Sequence, residues 1–210
     1  MSIIPARASR AALGLALAAA ALGGGAASAA PTAGDGASAQ RTGATTLAGT
    51  RPVFQMPFRC DQVWRGSAWW YSGGYEHDPL RSVDWNQGSG NDDKGRAVLP
   101  SAGGTVLHAG PHPSGYGNMV LSGHGEGWRT RYAHLLDGSI TVRVNDSVSR
   151  GQLIGQVGQS GGQPTSHLHY EQIKDGGVVN SIVRAKMDGT VKSVEFTRDK
   201  VAYLKSNNNC

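Results

Sequence analysis

Cysteine is scarce in this chain of 210 residues, which contains only Cys60 and Cys210. At most one disulfide can therefore form within the chain. In an oxidising compartment the pair predicts a bridge that ties the end of the chain to the start of the domain. A reduced pair, or an intermolecular bond through the Asn-rich tail at residues 207–210, is the alternative.

Long apolar runs are also lacking. The longest covers residues 11–22, which is too short to span a bilayer. Arg7 and Arg10 precede it, and the small residues 27–29 (ASA) follow. This pattern predicts a secretory signal peptide over residues 1–29, with an uncleaved membrane anchor as the alternative. We therefore expect a secreted, cell-wall-associated protein with no membrane contact after signal cleavage.

Charge is modest. The formal net charge of +5 falls to +3 (5 − 2) once Arg7 and Arg10 are removed. A charge this small does not indicate nucleic acid as a partner, whereas a mildly basic exported chain suits an anionic polymer surface.

No convincing helical period is present after the predicted signal peptide, and 31 glycines serve many tight turns. Residues 30–50 are rich in Ala, Gly, Thr and Ser, which predicts a flexible linker or short pro-segment. Residues 51–210 are long enough for one domain with a full core. We predict a mainly β fold, a compact antiparallel sheet or sandwich, with strands at residues 104–107, 118–121, 130–134, 140–144 and 152–157.

Two histidines, His167 and His169, stand one residue apart in a strand-like segment that follows a turn-rich stretch. Because side chains alternate along a strand, both imidazoles point to the same face and Leu168 to the other. Such a pair can place one metal ligand beside a second imidazole. Two half-exposed histidines that pack beside Tyr170 are the alternative.

Further candidate ligands lie upstream. His77 is in a Gly-rich loop, and Asp84 lies in the strand-like residues 82–85 (SVDW). A buried carboxylate needs a partner, either a metal or an arginine such as Arg81. His134 ends a run of alternating residues, and we expect its side chain to point to the same face as that of Tyr132. The alternative is that His134 is an ordinary residue at the edge of the strand.

The three remaining histidines have no such context. They lie in or beside Gly- and Pro-containing turns, and we interpret them as surface or turn residues: His108, His112 and His124.

Together these residues resemble the lysostaphin-type zinc metallopeptidases, the LytM-like and beta-lytic endopeptidases. The resemblance runs from about residue 69 to residue 180. Its most specific parts are residues 132–135 (YAHL), 151–161 (GQLIGQVGQSG) and 167–171 (HLHYE), with 115–118 (GYGN) before a central strand. The sequence departs from the commonest family pattern in two places. Residues 78–83 form an insert similar to the longer loop of the beta-lytic branch, and Ser181 stands where the family often has proline.

The resemblance implies roles for five residues. His77, Asp84 and His169 are the implied ligands of one zinc ion, and His134 and His167 are the implied unligated catalytic imidazoles. Two imidazoles and a carboxylate leave a fourth position open on a tetrahedral zinc, as in catalytic sites.

No His-Glu-X-X-His helix is present to supply a glutamate base, so His134 or His167 is left to move the proton. The sequence leaves open which of the two does so. Glu171 shares the predicted strand face and either orients one ring or is a solvated edge carboxylate.

The resemblance also implies the substrate. Family members cut peptide bonds in bacterial peptidoglycan, often next to glycine or small residues. Aromatic residues that either line a peptide groove or belong to the core are Trp64, Trp69, Trp70 and Tyr71. We expect a monomer. Two alternatives are a non-catalytic module that binds the wall and activates another hydrolase, and an exported protease acting on Gly-rich proteins.

Overall fold

Strands make up nearly half of the chain that the structure describes. A computed structural model describes residues 50–68 and 81–210, all within one unit that begins at residue 45. No α-helix occurs among these residues. The strands are β1 (Val63–Ala68), β2 (Val83–Asn86), β3 (Ala97–Val98), β4 (Gly104–His112), β5 (Gly117–Gly123), β6 (Trp128–Leu135), β7 (Ser147–Val148), β8 (Gly155–Gln156), β9 (Leu168–Lys174), β10 (Gly177–Val179), β11 (Ile182–Met187), β12 (Thr190–Glu195) and β13 (Lys200–Ser206).

One large sheet has the order β12-β11-β13-β1-β2-β9-β6-β5-β4-β7, with β10 added beside β9, and β3 pairs with β8 in a small second sheet. Every pairing of these strands is antiparallel. The predicted antiparallel β fold is therefore confirmed. Strands β2, β9 and β6 lie at the middle of the sheet, where neighbours on both sides hold their backbones in place.

Aromatic side chains fill the core on one face of this sheet. Trp64 of β1 is fully buried and stacks on Phe58, with ring centroids 3.7 Å apart. Trp85 of β2 is also buried and meets Phe58 and Phe196 edge-on. For Trp64 the groove interpretation is therefore wrong, because its ring is needed in the core.

Of the predicted strands, those at 104–107, 118–121 and 130–134 fall within β4, β5 and β6. The strand predicted at 140–144 is wrong. Its backbone makes single hydrogen bonds to different neighbours, Thr141 N to Ile154 O and Arg143 N to the carboxylate of Asp146, so no ladder forms. The one predicted at 152–157 shrinks to Gly155 and Gln156.

A disulfide joins Cys60 to Cys210 across a sequence separation of 150 residues, with Cα atoms 5.2 Å apart. The predicted intramolecular bridge is confirmed. The bond ties the end of the chain to the residues before β1, as expected.

Several predictions fall outside the described residues: the signal peptide over 1–29, the segment 30–50 apart from Thr50, His77, and the aromatic residues 69–71. None of the described residues belongs to a helix with the length and apolarity that crossing a bilayer requires.

Candidate active site

Asp84 and His169 lie directly opposite each other on the central strands β2 and β9. Residues paired in this way point to the same face of a sheet. Oδ1 of Asp84 is 3.2 Å from Nδ1 of His169, whose ring is 3% exposed. The strand register therefore brings together two predicted metal ligands that are 85 residues apart in sequence.

Glu171 holds the other side of the His169 ring. Its carboxylate is completely buried, and its Oε1 lies 3.0 Å from Nε2 of His169. Tyr116 donates a hydrogen bond from its hydroxyl to the same oxygen at 2.8 Å, and Arg131 pairs with the other oxygen at 2.5 Å. Burial acts to raise the pKa of Glu171, but the hydrogen bond and charge of His169, followed by the contributions of Arg131 and Tyr116, prevail and lower it. Glu171 is thus an ordered anion that orients His169, not a solvated edge carboxylate.

The contacts of the His169 ring favour a bound proton or metal ion at its Nδ1 atom. A carboxylate can only accept, so Nε2 of His169 carries a hydrogen and Nδ1 faces the acceptor oxygen of Asp84. A proton or a metal ion must separate these two atoms. Burial acts to lower the pKa of His169, but the bonds and charges of Asp84 and Glu171 prevail and raise the pKa to about 9.

The separation of the two atoms also fits a metal. Two ligands, each about 2.0–2.1 Å from a tetrahedral zinc ion, lie roughly 3.3 Å apart, which is close to the 3.2 Å between Asp84 Oδ1 and His169 Nδ1. Within residues 50–68 and 81–210 no group of three side chains suited to a metal is present. Asp84 and His169 are therefore two candidate ligands, and the predicted third, His77, is outside that range.

His134 and His167 lie beside this pair. Their rings are 4.8 Å apart, and the ring of His134 is 5.5 Å from that of His169. Nε2 of His167 is 3.8 Å from Asp84 Oδ1. The four predicted site residues that the structure describes therefore converge on one place.

Backbone carbonyls fix which ring nitrogens face this place. Nδ1 of His134 bonds the carbonyl oxygen of Ser160 at 3.0 Å, and Nδ1 of His167 bonds that of Thr165 at 3.1 Å. A carbonyl only accepts, so both Nδ1 atoms carry hydrogen and each neutral ring keeps its lone pair on Nε2. Burial, followed by the nearby rings of His167 and His169, lowers the pKa of His134 to about 4.

The expectation that His134 shares a face with Tyr132 is wrong. Tyr132 packs on Tyr170 with ring centroids 5.6 Å apart, whereas His134 contacts His169. His169 and Tyr170 are consecutive residues of β9 and point to opposite faces. The cause is a positive φ of 60° at His134, near an irregular register between β5 and β6, which turns the ring out of the strand alternation.

A cavity of about 340 Å³ opens over these groups. Its lining residues are Asp84, Ser114, Gly115, Tyr116, His134, Gln163, His167 and His169. The predicted site residues thus face a space large enough for part of a peptide chain.

Sequence reasoning missed a buried group that supports His167. Asp93 is 1% exposed and accepts a short hydrogen bond from the hydroxyl of Ser166. Asn91 accepts a bond from the Ser166 backbone N–H at 2.7 Å, and Asn86 donates to its carbonyl at 3.3 Å. Three side chains therefore hold the residue before His167. Asn91 and Asp93 carried no local signature, because their bonds to Ser166 cross more than 70 residues.

His124 also differs from its interpretation as a surface or turn residue. It follows β5 in a turn, but its ring is half-buried and packs edge-on against Phe54. Its nitrogens bond the carbonyl oxygen of Gly103 and the hydroxyl of Thr130, both at 2.8 Å. Burial lowers the pKa of His124.

The fold and site together define an antiparallel β protein with a carboxylate–histidine centre beside two further imidazoles. Residues 89–181 match the family model of Peptidase family M23. The predicted resemblance to the lysostaphin-type M23 peptidases is therefore confirmed over these residues.

Curated relatives include both hydrolases and an activator. The peptidoglycan DD-endopeptidase ShyA of Vibrio cholerae is 42% identical over 88 residues, which are 42% of this chain and 20% of ShyA. The DD-carboxypeptidase/endopeptidase Mpg of Neisseria meningitidis is 36% identical over 134 residues, 62% of this chain and 29% of Mpg. The murein hydrolase activator NlpD of Escherichia coli is 35% identical over 89 residues, 42% of this chain and 23% of NlpD. The matched part is thus less than a third of each relative.

Proposed function

We propose that the chain is a secreted zinc metalloendopeptidase that hydrolyses peptide bonds in bacterial cell-wall peptidoglycan, next to glycine or small residues. One observation carries the proposal. Nδ1 of His169 faces Asp84 Oδ1 at 3.2 Å while Nε2 of the same ring is held by buried Glu171. A histidine fixed by a carboxylate on one nitrogen, with its other nitrogen beside an anionic oxygen, is typical of a metal ligand.

Asp84 and His169 would hold the zinc ion together with His77. When bound, zinc supplies a Lewis acid that polarises the scissile carbonyl and activates water. Glu171 keeps the ligating ring in orientation, and its own negative charge is balanced by Arg131.

His134 and His167 would move the proton and stabilise charge. Each neutral ring presents its Nε2 lone pair, because Nδ1 is bonded to a backbone carbonyl. One ring accepts the proton of the attacking water, and the other, when protonated, donates a hydrogen bond to the developing oxyanion. Either ring can fill either role, because both carry the hydrogen on Nδ1 and present Nε2.

The substrate class is supported by the relatives ShyA and Mpg, both named for peptidase activity. A mildly basic exported chain suits an anionic wall, and we propose that the protein acts there as a monomer without a nucleic-acid or membrane partner.

The proposal predicts different effects of two alanine variants. His169→Ala should lose both zinc and hydrolysis, because it removes a ligand. His134→Ala should keep the zinc and lose about 100-fold or more in rate, because it removes a proton-transfer group. Zinc is measured by elemental analysis of the purified protein, and hydrolysis by release of amino groups from purified peptidoglycan.

His108→Ala is the matched control, because His108 is not among the residues that line the cavity. Its ring bonds the nearby carbonyl of Gly110 and contacts the ring of His112. The His108→Ala variant should keep both zinc and rate. Full activity with bound zinc in His169→Ala would contradict the ligand assignment, and a normal rate in His134→Ala would remove this residue from the reaction.

A second candidate function is a module that activates another hydrolase, which the relative NlpD favours. Retention of Asp84, His134, His167 and His169 in one cavity argues for the enzyme instead. Purified wild-type protein that folds but holds no zinc and releases no amino groups would support the activator. Release of amino groups from a Gly-rich protein but not from peptidoglycan would support the alternative of an exported protease that acts on Gly-rich proteins.

A further inference from the structure

The sheet face that carries Asp84 and His169 continues across the neighbouring strands. Asp84 of β2 pairs with Ser67 of β1, and Ser67 pairs with Val201 of β13. Since paired residues point to the same face, Val201 lies on the site face. Ser67 is buried, so the exposed path along this face runs through the next row of residues.

That next row consists of Tyr203, Arg65 and Asn86, which pair with one another across β13, β1 and β2. Tyr203 is exposed, and Arg65 and Asn86 are half-exposed. Asn86 donates to the carbonyl of Ser166, the residue before His167. The row therefore leads from an open aromatic side chain to the edge of the candidate active site.

A third row on the same face lies farther along the strands. Its members pair in succession across β12, β11, β13 and β1: Val191, Lys186, Lys205 and Val63. The three rows contain exposed and half-exposed residues on β1, β11, β12 and β13. We call these residues the distal face: Val63, Arg65, Lys186, Val191, Val201, Tyr203 and Lys205.

Exposed apolar side chains cluster on the distal face. Four of the eight exposed large apolar side chains among the described residues belong to it: Val63, Val191, Val201 and Tyr203. Tyr203 is 73% exposed, whereas its neighbours Trp64 and Leu204, on the opposite face of the sheet, are buried. Clustered exposed apolar side chains on a soluble domain mark a binding surface.

The charges of the distal face are positive. They come from Arg65, Lys186 and Lys205, and the face itself contains no carboxylate. Asp61, from the turn before β1, bonds Lys186 at 2.8 Å and partly neutralises it. The face therefore combines an open aromatic ring and exposed aliphatic side chains with excess positive charge, which favours a partly apolar, anionic polymer.

We propose that the distal face binds the peptidoglycan strand beyond the scissile bond, through the free carboxylates of its stem peptides and the apolar faces of its sugar rings. This inference rests on the proposed function. Adjacent strands are about 4.8 Å apart, so β13 lies roughly 10 Å from β2. A wall polymer held at Asp84 and His169 reaches Tyr203 and Lys205 within a few residues of chain.

The test measures binding separately from cleavage. The full chain with His134→Ala, in which we expect hydrolysis to be about 100-fold slower or more, is sedimented with purified peptidoglycan from which phosphate-containing polymers have been removed by acid. Tyr203→Ala and Lys205→Glu are each added to this parent. Each should weaken binding about tenfold, and the contribution of Lys205 should decrease as salt increases.

Two matched controls lie off the distal face. Lys192→Glu makes the same charge change on the other face of the sheet, where Lys192 pairs with the buried Ala185. Leu107→Ala removes an exposed apolar side chain from β4. Both should bind as the parent does, and melting curves verify that all variants fold.

Binding of Tyr203→Ala and Lys205→Glu equal to that of the parent overturns the inference. Weakening seen only on walls that keep their phosphate polymers also overturns it, because a different polymer then occupies the face. A wild-type protein that does not hydrolyse peptidoglycan would instead contradict the proposed function. The binding measurement would still test whether the distal face binds the wall.

Discussion

Asp93 is the residue whose role depends most on contacts that are remote in sequence. Its buried carboxylate holds the hydroxyl of Ser166, and through Ser166 it positions His167 at the cavity. Burial raises the pKa of Asp93, with the Ser166 and Gln87 bonds acting against that rise. The carboxylate stabilises a loop conformation and does not touch the proposed reacting atoms.

We expect Asp93→Ala to lower kcat by about 10- to 100-fold with zinc content unchanged, because a shift of about 1 Å in a catalytic group has this effect. Steady-state kinetics on a soluble wall peptide and elemental analysis provide the measurement. Asp93→Asn, which keeps an acceptor for Ser166, should recover part of kcat. Asp92→Asn is the control, because Asp92 is exposed and its carboxylate accepts a hydrogen bond from the backbone N–H of Ser89, away from Ser166. A kcat of Asp93→Ala equal to wild type would contradict the positioning role.

At the residue scale, the sequence indicated the residues of the candidate site better than the residues that hold them in position. Asp84, His134, His167 and His169 stand in short motifs whose residue types and spacing indicated a metal site, and the structure brings them together. Asp93, Tyr116 and Arg131 were not assigned roles, because their functions come from hydrogen bonds across 40 or more residues. No local pattern encodes such bonds.

Strand β6 and the segment before β5 form the element that places His134. The backbone N–H of His134 donates to Tyr116 O at 2.9 Å, and its ring bonds Ser160 O. Gly117 lies between the two acceptor segments with a φ of +62°, and a Cβ there would meet Gly161 N at 2.4 Å. Only glycine allows these segments to approach so closely.

Gly117→Ala should therefore destabilise the protein by about 2–5 kcal/mol, from left-handed strain of about 1–2 kcal/mol and overpacking of about 1–3 kcal/mol. It should also lower kcat, because both acceptors of His134 move. Urea unfolding and kinetics measure the two effects. Gly125→Ala isolates the strain, since its φ is +80° but nothing lies within 4 Å of its Cβ position. Equal stability of these two variants would show that the close approach is unimportant.

Strand prediction succeeded where alternation coincided with a full ladder and failed elsewhere. Residues 130–134 lie within β6 between two partner strands, as their alternation predicted. Residues 140–144 alternate equally well, yet no strand pairs with them, and the apolar Val142 is buried within a loop. The turn of His134 out of alternation was also invisible, because a positive φ at histidine leaves no trace in residue type.

At the scale of the whole described domain, the last residues of the chain are fastened to the residues before β1. The disulfide joins Cys60 to Cys210, and the buried Asn208 donates from its side-chain amide to the carbonyls of Met56 and Pro100. The sequence predicted the bridge because only one pairing of two cysteines exists within the chain. It did not predict the role of Asn208, since an Asn-rich tail is usually frayed.

The stability of the molecule should depend on pH through His124, which links the start of β4 to β6. Its ring bonds Gly103 O and the Thr130 hydroxyl, and Thr130 in turn is hydrogen-bonded to the buried Tyr132. Burial lowers the pKa of His124 below its ordinary value of 6.5, with the bond to Gly103 acting against that shift. The neutral ring is therefore favoured in the folded state.

The sign follows from proton binding. Above about pH 6.5 the ring is neutral in both states, and its full contribution to stability is present. As the pH falls below 6.5, the unfolded chain takes up the proton before the folded chain does, so folding stability decreases. The loss is at most about 1.4 kcal/mol for each pH unit, and it ends once the pH passes below the folded pKa.

His124→Asn keeps a donor for Gly103 O but does not titrate. We therefore expect the variant to be less stable than wild type at pH 7.5, with the difference between the two melting temperatures narrowing as the pH falls toward 5. His108→Asn, a histidine outside this network, corrects for general effects of acid on the protein, and its difference from wild type should change little. Thermal unfolding at half-unit pH steps provides the measurement. A His124→Asn difference that stays constant or widens below pH 6.5 would show that the buried neutral ring does not contribute to the pH dependence of folding.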